Sequence, residues 1–142
     1  MSCDNYPCGN IQVTNNTVIE TSNYGIAVSS GHDISLTGNR VFATGLLPDN
    51  TPIFISSDMG NVGIYIWNSY HDPNWGNINA SGNTLGWATI SGGRNDKWLG
   101  TTPSSFSAIT APGPITAATK AAEYNSWLSR VNSSTRLWRF PS

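Results

Sequence analysis

The stretch NIQVTNNTV, residues 10–18, decides how this chain is read, because the chain writes it three times. Residues 33–41 are DISLTGNRV and residues 77–85 are NINASGNTL. Each copy has asparagine in its seventh place, and Asn16, Asn39 and Asn83 stand 23 and 44 residues apart. Apolar residues alternate before that asparagine, as Ile11/Val13, Ile34/Leu36 and Ile78/Ala80, and a further one follows at Val18, Val41 and Leu85. Period-two alternation predicts a short strand with one buried face. A unit repeated in this way buries its apolar face by stacking on its neighbours.

A second motif falls between the copies: YGIAV at 24–28 is echoed by VGIYI at 62–66. A unit of about 22 residues is too short for a propeller blade, and it lacks the helical pattern of a βαβ unit. Successive units pairing in parallel, about 4.8 Å apart, would satisfy the backbone and align Ile, Val and Leu into one core. The expectation is an all-β parallel β-helix of about three to four coils.

The two motifs together, Gly-Ile-x-Val and then the nine-residue phrase, resemble the right-handed parallel β-helix repeat of the pectate-lyase-like superfamily over roughly residues 9–91. The resemblance implies right-handed winding. It also implies that the recurrent asparagine occupies a tight left-handed turn, its amide bonded to the amides of neighbouring coils, so that Asn16, Asn39 and Asn83 form a structural ladder. No activity follows, because that fold hosts lyases, hydrolases, epimerases and phage tailspikes.

The predicted organisation is coils over 1–100 with an inserted loop at 43–61, a linker at 101–113 and a C-terminal helix and tail at 114–142. The insert either walls a substrate groove, as the corresponding loop does in the enzymes this repeat resembles, or covers the end of a strand. The repeat pattern ends at Gly92 and Gly93. Ala117, Ala121, Tyr124, Leu128 and Val131 then recur at helical spacing, predicting an amphipathic helix over about 114–131 with Pro114 in its first turn. That helix, with the Leu137-Trp138-Arg139-Phe140 tail, suits a cap over an open solenoid end; an oligomerisation helix is the alternative. The chain enters its first phrase without a cap, so it reads as a C-terminal piece of a longer protein whose open ends pair into a homo-oligomer.

Charged residues make up 11% of the chain and the net charge is −1, against roughly 25% charged residues in average soluble proteins. Without a basic block, phosphate neutralisation has little to work with, and no nucleic-acid partner is expected. No apolar run reaches the ~20 residues of a membrane span, so no membrane partner is expected either. A surface of Asn, Ser, Thr and Gly suits an extracellular or periplasmic protein that meets glycans. Cys3 and Cys8 are either a small-loop disulfide or two free thiols. A metal site there lacks further ligands, and no cofactor is expected.

Candidate functional residues gather after the second Gly-Ile strand. Tyr65 and Trp67 face outward there and, with Tyr70 and Trp75, offer a platform for sugar rings, unless the insert packs over them. His71-Asp72 is the better of two His-Asp pairs for general-base catalysis, a solvated loop being the bland alternative. In the other pair, His32-Asp33, the aspartate takes the first place of the phrase, which argues for turn hydrogen bonding. Arg94 and Lys97 are candidates for a uronate carboxylate, or else a solvated turn. No Asp-x-Asp carboxylate pair of the polygalacturonase type is present. The functional expectation is therefore glycan or polysaccharide binding by part of a lyase-, hydrolase- or epimerase-like protein, the isolated chain being inactive. The alternatives are a structural or adhesive tailspike-like module acting through assembly, and a small enzyme with an intersubunit active site.

Overall fold

The computed structural model describes residues 8–20, 23–44, 51, 60–87, 94–100, 105–110 and 115–134. Among the described residues nine strands and one helix form, and all strand pairs are parallel. Each of the first two phrases breaks into a pair of strands: β1 (Gly9–Thr14) with β2 (Thr17–Ile19), and β4 (His32–Thr37) with β5 (Arg40–Ala43). The third runs through as one strand, β7 (Gly76–Trp87). β1, β4, β7, β5 and β2 make a six-stranded sheet in that order, with β9 (Ser105–Thr110) also pairing β7. The Gly-Ile segments, β3 (Tyr24–Val28) and β6 (Gly60–Ile66), pair with β8 (Arg94–Gly100) in a second sheet.

Register follows the sequence repeat residue for residue. Ile11 lies beside Ile34 and Ile34 beside Ile78; Val13, Leu36 and Ala80 align in the same way, as do Val18, Val41 and Leu85. Ile26 pairs with Ile64 and Val28 with Ile66 in the second sheet. These columns meet in one core of Val28, Ile34, Leu36, Val41, Ile64, Ile66, Ile78, Ala80 and Leu85. A one-residue slip would turn every one of these side chains to the other face, so burial holds the register.

The first and sixth places of the phrase are where the backbone turns. Asn10, Asp33 and Asn77 have φ of 58°, 53° and 50°; Asn15, Gly38 and Gly82 have 57°, 66° and 65°. These left-handed positions accept Asn, Asp or Gly at least cost, which explains the residue types found there. The strained turn residue is therefore the one before the recurrent asparagine and not, as the resemblance implied, the asparagine itself.

The asparagine supplies the bonds across the stack. Asn39 Oδ1 accepts from Asn16 N at 3.0 Å and Asn16 Nδ2 at 3.1 Å, while Asn39 Nδ2 donates to Asn83 Oδ1 at 3.0 Å and Val13 O at 2.8 Å. Those four bonds use the whole capacity of a side-chain amide. Asn83 repeats the pattern, accepting from Asn39 N at 3.0 Å and donating to Leu36 O at 2.9 Å. Asn16 has no earlier copy beside it among the described residues, and its Nδ2 turns back to its own Thr14 O at 3.2 Å. Asn39 and Asn83 are completely buried, whereas Asn16 is exposed.

The expected right-handed β-helix of three to four coils with an amphipathic cap is corrected by this architecture. What forms is two parallel sheets, of six and three strands, with one helix, and no closed solenoid or barrel is present among the described residues. β7 is the physical reason: it spans 12 residues through the place where the earlier copies divide, bending at Gly82 with a register shift between Ala80 and Asn83. It thereby joins both halves of the phrase into one sheet. The repeat pattern also does not stop at Gly93, since β8 continues the second sheet, and residues 105–110 of the predicted linker are β9. Residues 45–50 and 52–59 of the inserted loop lie outside the described residues.

The helix α1 (Ala117–Ser134) starts at Thr116, whose Oγ1 accepts from Thr119 N at 3.4 Å while Thr119 Oγ1 accepts from Thr116 N at 3.2 Å. This reciprocal pair satisfies donors that a helix start leaves open. The predicted apolar stripe docks only in part: Ala117, Ala121 and Tyr124 are exposed, while Leu128 and Val131 are half-buried. Polar residues also hold the helix against β2 and β5. Arg40 bonds Glu123 through Nε at 2.9 Å and through its second terminal nitrogen at 2.5 Å, and Arg130 donates to Thr17 Oγ1 at 2.6 Å. The hydrogen bonds that Arg40 donates to Glu123 hold its guanidinium still more firmly in its charged form. Lys120 Nζ lies 3.6 Å from Glu20 Oε1, and Ile115 packs on Phe42. The helix thus packs on β2, an end strand of the large sheet, and on its neighbour β5.

Asn39→Ala removes the acceptor of both Asn16 N–H groups and the side-chain donor to the buried Asn83 Oδ1 and to Val13 O. Each orphaned buried group costs about 1–3 kcal/mol, so Asn39→Ala should lose at least ~2 kcal/mol, and Asn16→Ala at the exposed end no more than ~1 kcal/mol. Urea unfolding of the two variants checks this; equal losses would refute a buried inner ladder.

Candidate functional site

The turn after β6 is anchored before it is decorated. Trp67 N donates to Val28 O and Ser69 N to Ser29 O, both at 3.0 Å, so the exit of β6 follows the exit of β3. The Asn68 side chain then clips residue 72, accepting from Asp72 N at 2.7 Å and donating to Asp72 O at 3.0 Å. Asp72 Oδ2 accepts from Gly31 N at 2.8 Å and Oδ1 from Asn74 N at 2.8 Å. Both carboxylate oxygens of Asp72 are therefore engaged by backbone N–H groups, and one of them ties this turn to the preceding repeat. His71 is exposed with φ of 51°, its N–H donating to Asn68 O at 3.3 Å. No hydrogen bond joins the side chains of His71 and Asp72 among the described residues. The general-base pair that their adjacency suggested is not assembled, because the turn consumes the carboxylate.

The four predicted platform aromatics separate. Trp67 is 51% exposed and Tyr70 is 57% exposed, three residues apart on the anchored turn. Tyr65 stacks on Tyr24 with ring centroids 4.5 Å apart and planes at 24°, and its hydroxyl lies 3.3 Å from Ser69 Oγ. Trp75 packs against the main core and is no part of an outward face. Arg94 and Lys97 belong to β8, and their side chains lie outside the described residues.

The His-Asp contact that does form is the other one. His32 Nδ1 lies 2.6 Å from Asp33 Oδ2, and the second oxygen of Asp33 accepts from Asn77 Nδ2. A side-chain bond thus links the first places of two phrases, beside the ladder at their seventh places. Hydrogen bonds from Asn77 and then His32 stabilise the ionised carboxyl and hold Asp33 below the ordinary carboxylate value of 3.8. The imidazole lies over Gly9, where a Cβ would stand 2.3 Å from His32 Cε1, so a side chain at Gly9 would displace the ring.

A recess between α1 and the first phrase drew no attention in the sequence. It is an open cleft of about 340 Å³ lined by Asn15, Asn16, Thr17, Trp127, Arg130 and Val131. Trp127 is 37% exposed and its ring lies 5.8 Å from that of Tyr124, at 37°. The available signal was the i, i+3 spacing of Tyr124, Trp127 and Arg130, which places them on one helix face. The apolar stripe contained Tyr124 and Val131 of this face but neither Trp127 nor Arg130.

Cys8 is disulfide-bonded, and the chain's one other cysteine is Cys3, which lies outside the described residues. Among the described residues no group of three His, Cys, Asp or Glu side chains is placed to hold a metal ion, and no helix is long and apolar enough to cross a membrane. No family model, curated protein or solved structure matches the chain.

Asp33 supplies a pH prediction. Because its folded value is depressed, its contribution is present above 3.8 and is lost as pH falls through the folded value. Wild-type stability should decline on acidification through that range, and Asp33→Asn should flatten the decline. Urea midpoints across an acid series provide the check; superimposable profiles would show that Asp33 contributes nothing.

Proposed function

We propose that this chain is a glycan-binding module of an extracellular or periplasmic protein, and that Trp67 and Tyr70 carry the binding. The supporting observation is that two large aromatic side chains remain more than half exposed on a turn pinned by hydrogen bonds through Trp67, Asn68, Ser69 and Asp72. Aromatic rings on a fixed backbone give sugar C–H faces a contact surface with little ordering cost. The low charge and amide-rich surface suit neutral or weakly acidic polysaccharides. The disulfide at Cys8 favours an oxidising compartment. On this reading His71 is a surface residue of the binding turn and Asp72 shapes that turn; neither reacts with substrate.

Trp67→Ala and Tyr70→Ala should each weaken binding to an immobilised plant or bacterial polysaccharide by about tenfold, the loss typical of a central aromatic contact. Neither should alter the unfolding free energy by more than ~0.5 kcal/mol, because the bonds that pin the turn are not made by these rings. Affinity electrophoresis reads the first and urea unfolding the second; unchanged retention in both variants would remove the aromatic surface from the function.

A second reading, a structural module that works through self-assembly, is favoured by the edge formed by β1, β2 and β3. Among the described residues each of these strands pairs on one side only. Beside them Ile11, Val13 and Ile26 line an apolar pocket with Val28, Ile34 and Leu36. Unpaired strands beside apolar surface are templates for another chain. Sedimentation velocity should then show a homo-oligomer that dissociates in Val13→Lys; a monomer at all concentrations contradicts this reading.

A further inference from the structure

We infer that the cleft between α1 and the first phrase is a second carbohydrate site, distinct from Trp67 and Tyr70, and that its ligand is an acidic sugar bearing a carboxylate. The inference shares with the proposed function only the ligand class of glycans; it does not need the turn at 67–76.

The cleft combines three kinds of group that a hexuronate requires. Trp127 supplies an aromatic wall whose outer part is open, with the tilted Tyr124 ring beside it. A pyranose face stacks its C–H groups on such a surface. Arg130 supplies the cation: it is exposed, and its bond of 2.6 Å to Thr17 Oγ1 holds the arm at the cleft. A guanidinium presents N–H groups in a planar fork that matches a carboxylate. Asn15 and Asn16 supply exposed polar groups on the opposite wall, at the start of the asparagine ladder. Both Nδ2 hydrogens of Asn16 are given to Thr14 O and Asn39 Oδ1, so this side chain offers a sugar hydroxyl its Oδ1 as an acceptor.

The wall is rigid for reasons already given. Asn16 is held by Asn39 through both its backbone N–H and its side chain, and Asn15 N donates to Thr37 O at 3.0 Å. The helix wall is held by the Arg40–Glu123 pair one strand away. The volume, about 340 Å³, falls in the range of small-ligand pockets and suits one sugar unit with its neighbours projecting into solvent. A mixed polar and aromatic recess of this kind is a poor fit for a lipid chain or an apolar peptide.

The test is isothermal titration of the whole chain with a hexuronate trisaccharide and with the same trisaccharide reduced to its neutral form. Wild-type protein should bind the acidic form with a Kd of ~1 mM or tighter and the neutral form at least about tenfold more weakly. Arg130→Gln should abolish that preference, Arg130→Lys should keep part of it, and Trp127→Ala should weaken both forms by about tenfold. Trp127→Phe, which keeps a ring on the helix, should retain most of the affinity and guards against misfolding of the alanine variant. The Trp67→Ala/Tyr70→Ala double variant separates the two sites. If it binds the acidic form as wild type does, the cleft stands even where the turn at 67–76 fails. If it loses all binding while Trp127→Ala and Arg130→Gln lose none, the cleft is refuted and the proposed function stands. Equal affinity of wild type for the acidic and neutral forms, or no binding of either, also overturns the cleft site.

Discussion

The side chain of Asn39 is the point on which the two-sheet architecture turns. It is wholly buried, and its four hydrogen bonds reach Asn16 on one side, Asn83 on the other and the carbonyl of Val13. A buried amide without partners is expensive, and one with every partner present is specific. No other residue of similar size supplies two donors and a doubly accepting oxygen in that plane. The requirement also fixes its neighbours: the residue before it must turn left-handed, which Asn15, Gly38 and Gly82 do. The apolar residues on either side are then delivered to the core in register.

That ladder governs where function has room. Inward positions are committed to the core and phrase turns to cross-strand bonds, so ligand-facing chemistry is left to the segments between repeats and to the helix. The turn at 67–76 is one such place. There Asn68 and Asp72 are spent on holding the loop, leaving Trp67 and Tyr70 exposed. The cleft under α1 is the other, built where the eighth places of the first two phrases, Thr17 and Arg40, bond Arg130 and Glu123 of the helix. Polar docking of this kind keeps a helix in place while leaving its aromatics partly free. A greasier interface would have buried Trp127.

The parts legible in the sequence were those that depend on short-range pattern. Alternation around Ile34 and Leu36 predicted strands, and recurrence of the phrase predicted parallel stacking with Ile11, Ile34 and Ile78 in one column. Asp33 read as a turn residue because it shares its place with Asn10 and Asn77, and its carboxylate does bond Asn77. Less legible was the way the segments join. Nothing local distinguishes β7, which runs through, from β4 and β5, which divide, since Gly38 and Gly82 turn alike; the pairing with β9 decides that. β8 escaped notice because Arg94, Asn95, Asp96 and Lys97 carry no apolar alternation. A strand without that signal is recognised by its partner, β6, and not by itself.

The sequence by itself therefore determined the strands of the repeat and their common register, since a period of two and a recurring phrase are patterns of the chain alone; that the recurrent asparagines bond one another was what the resemblance implied. The tertiary structure decided which polar groups remain for a ligand. Of two adjacent His-Asp pairs it joined His32 to Asp33 and gave the carboxylate of Asp72 to Gly31; of four aromatics it exposed two. It also set Trp127 and Arg130 across from Asn15 and Asn16. These outcomes rest on contacts between residues as far apart in the chain as 41 and 113 positions, where adjacency in sequence carries no information about competition for a hydrogen bond.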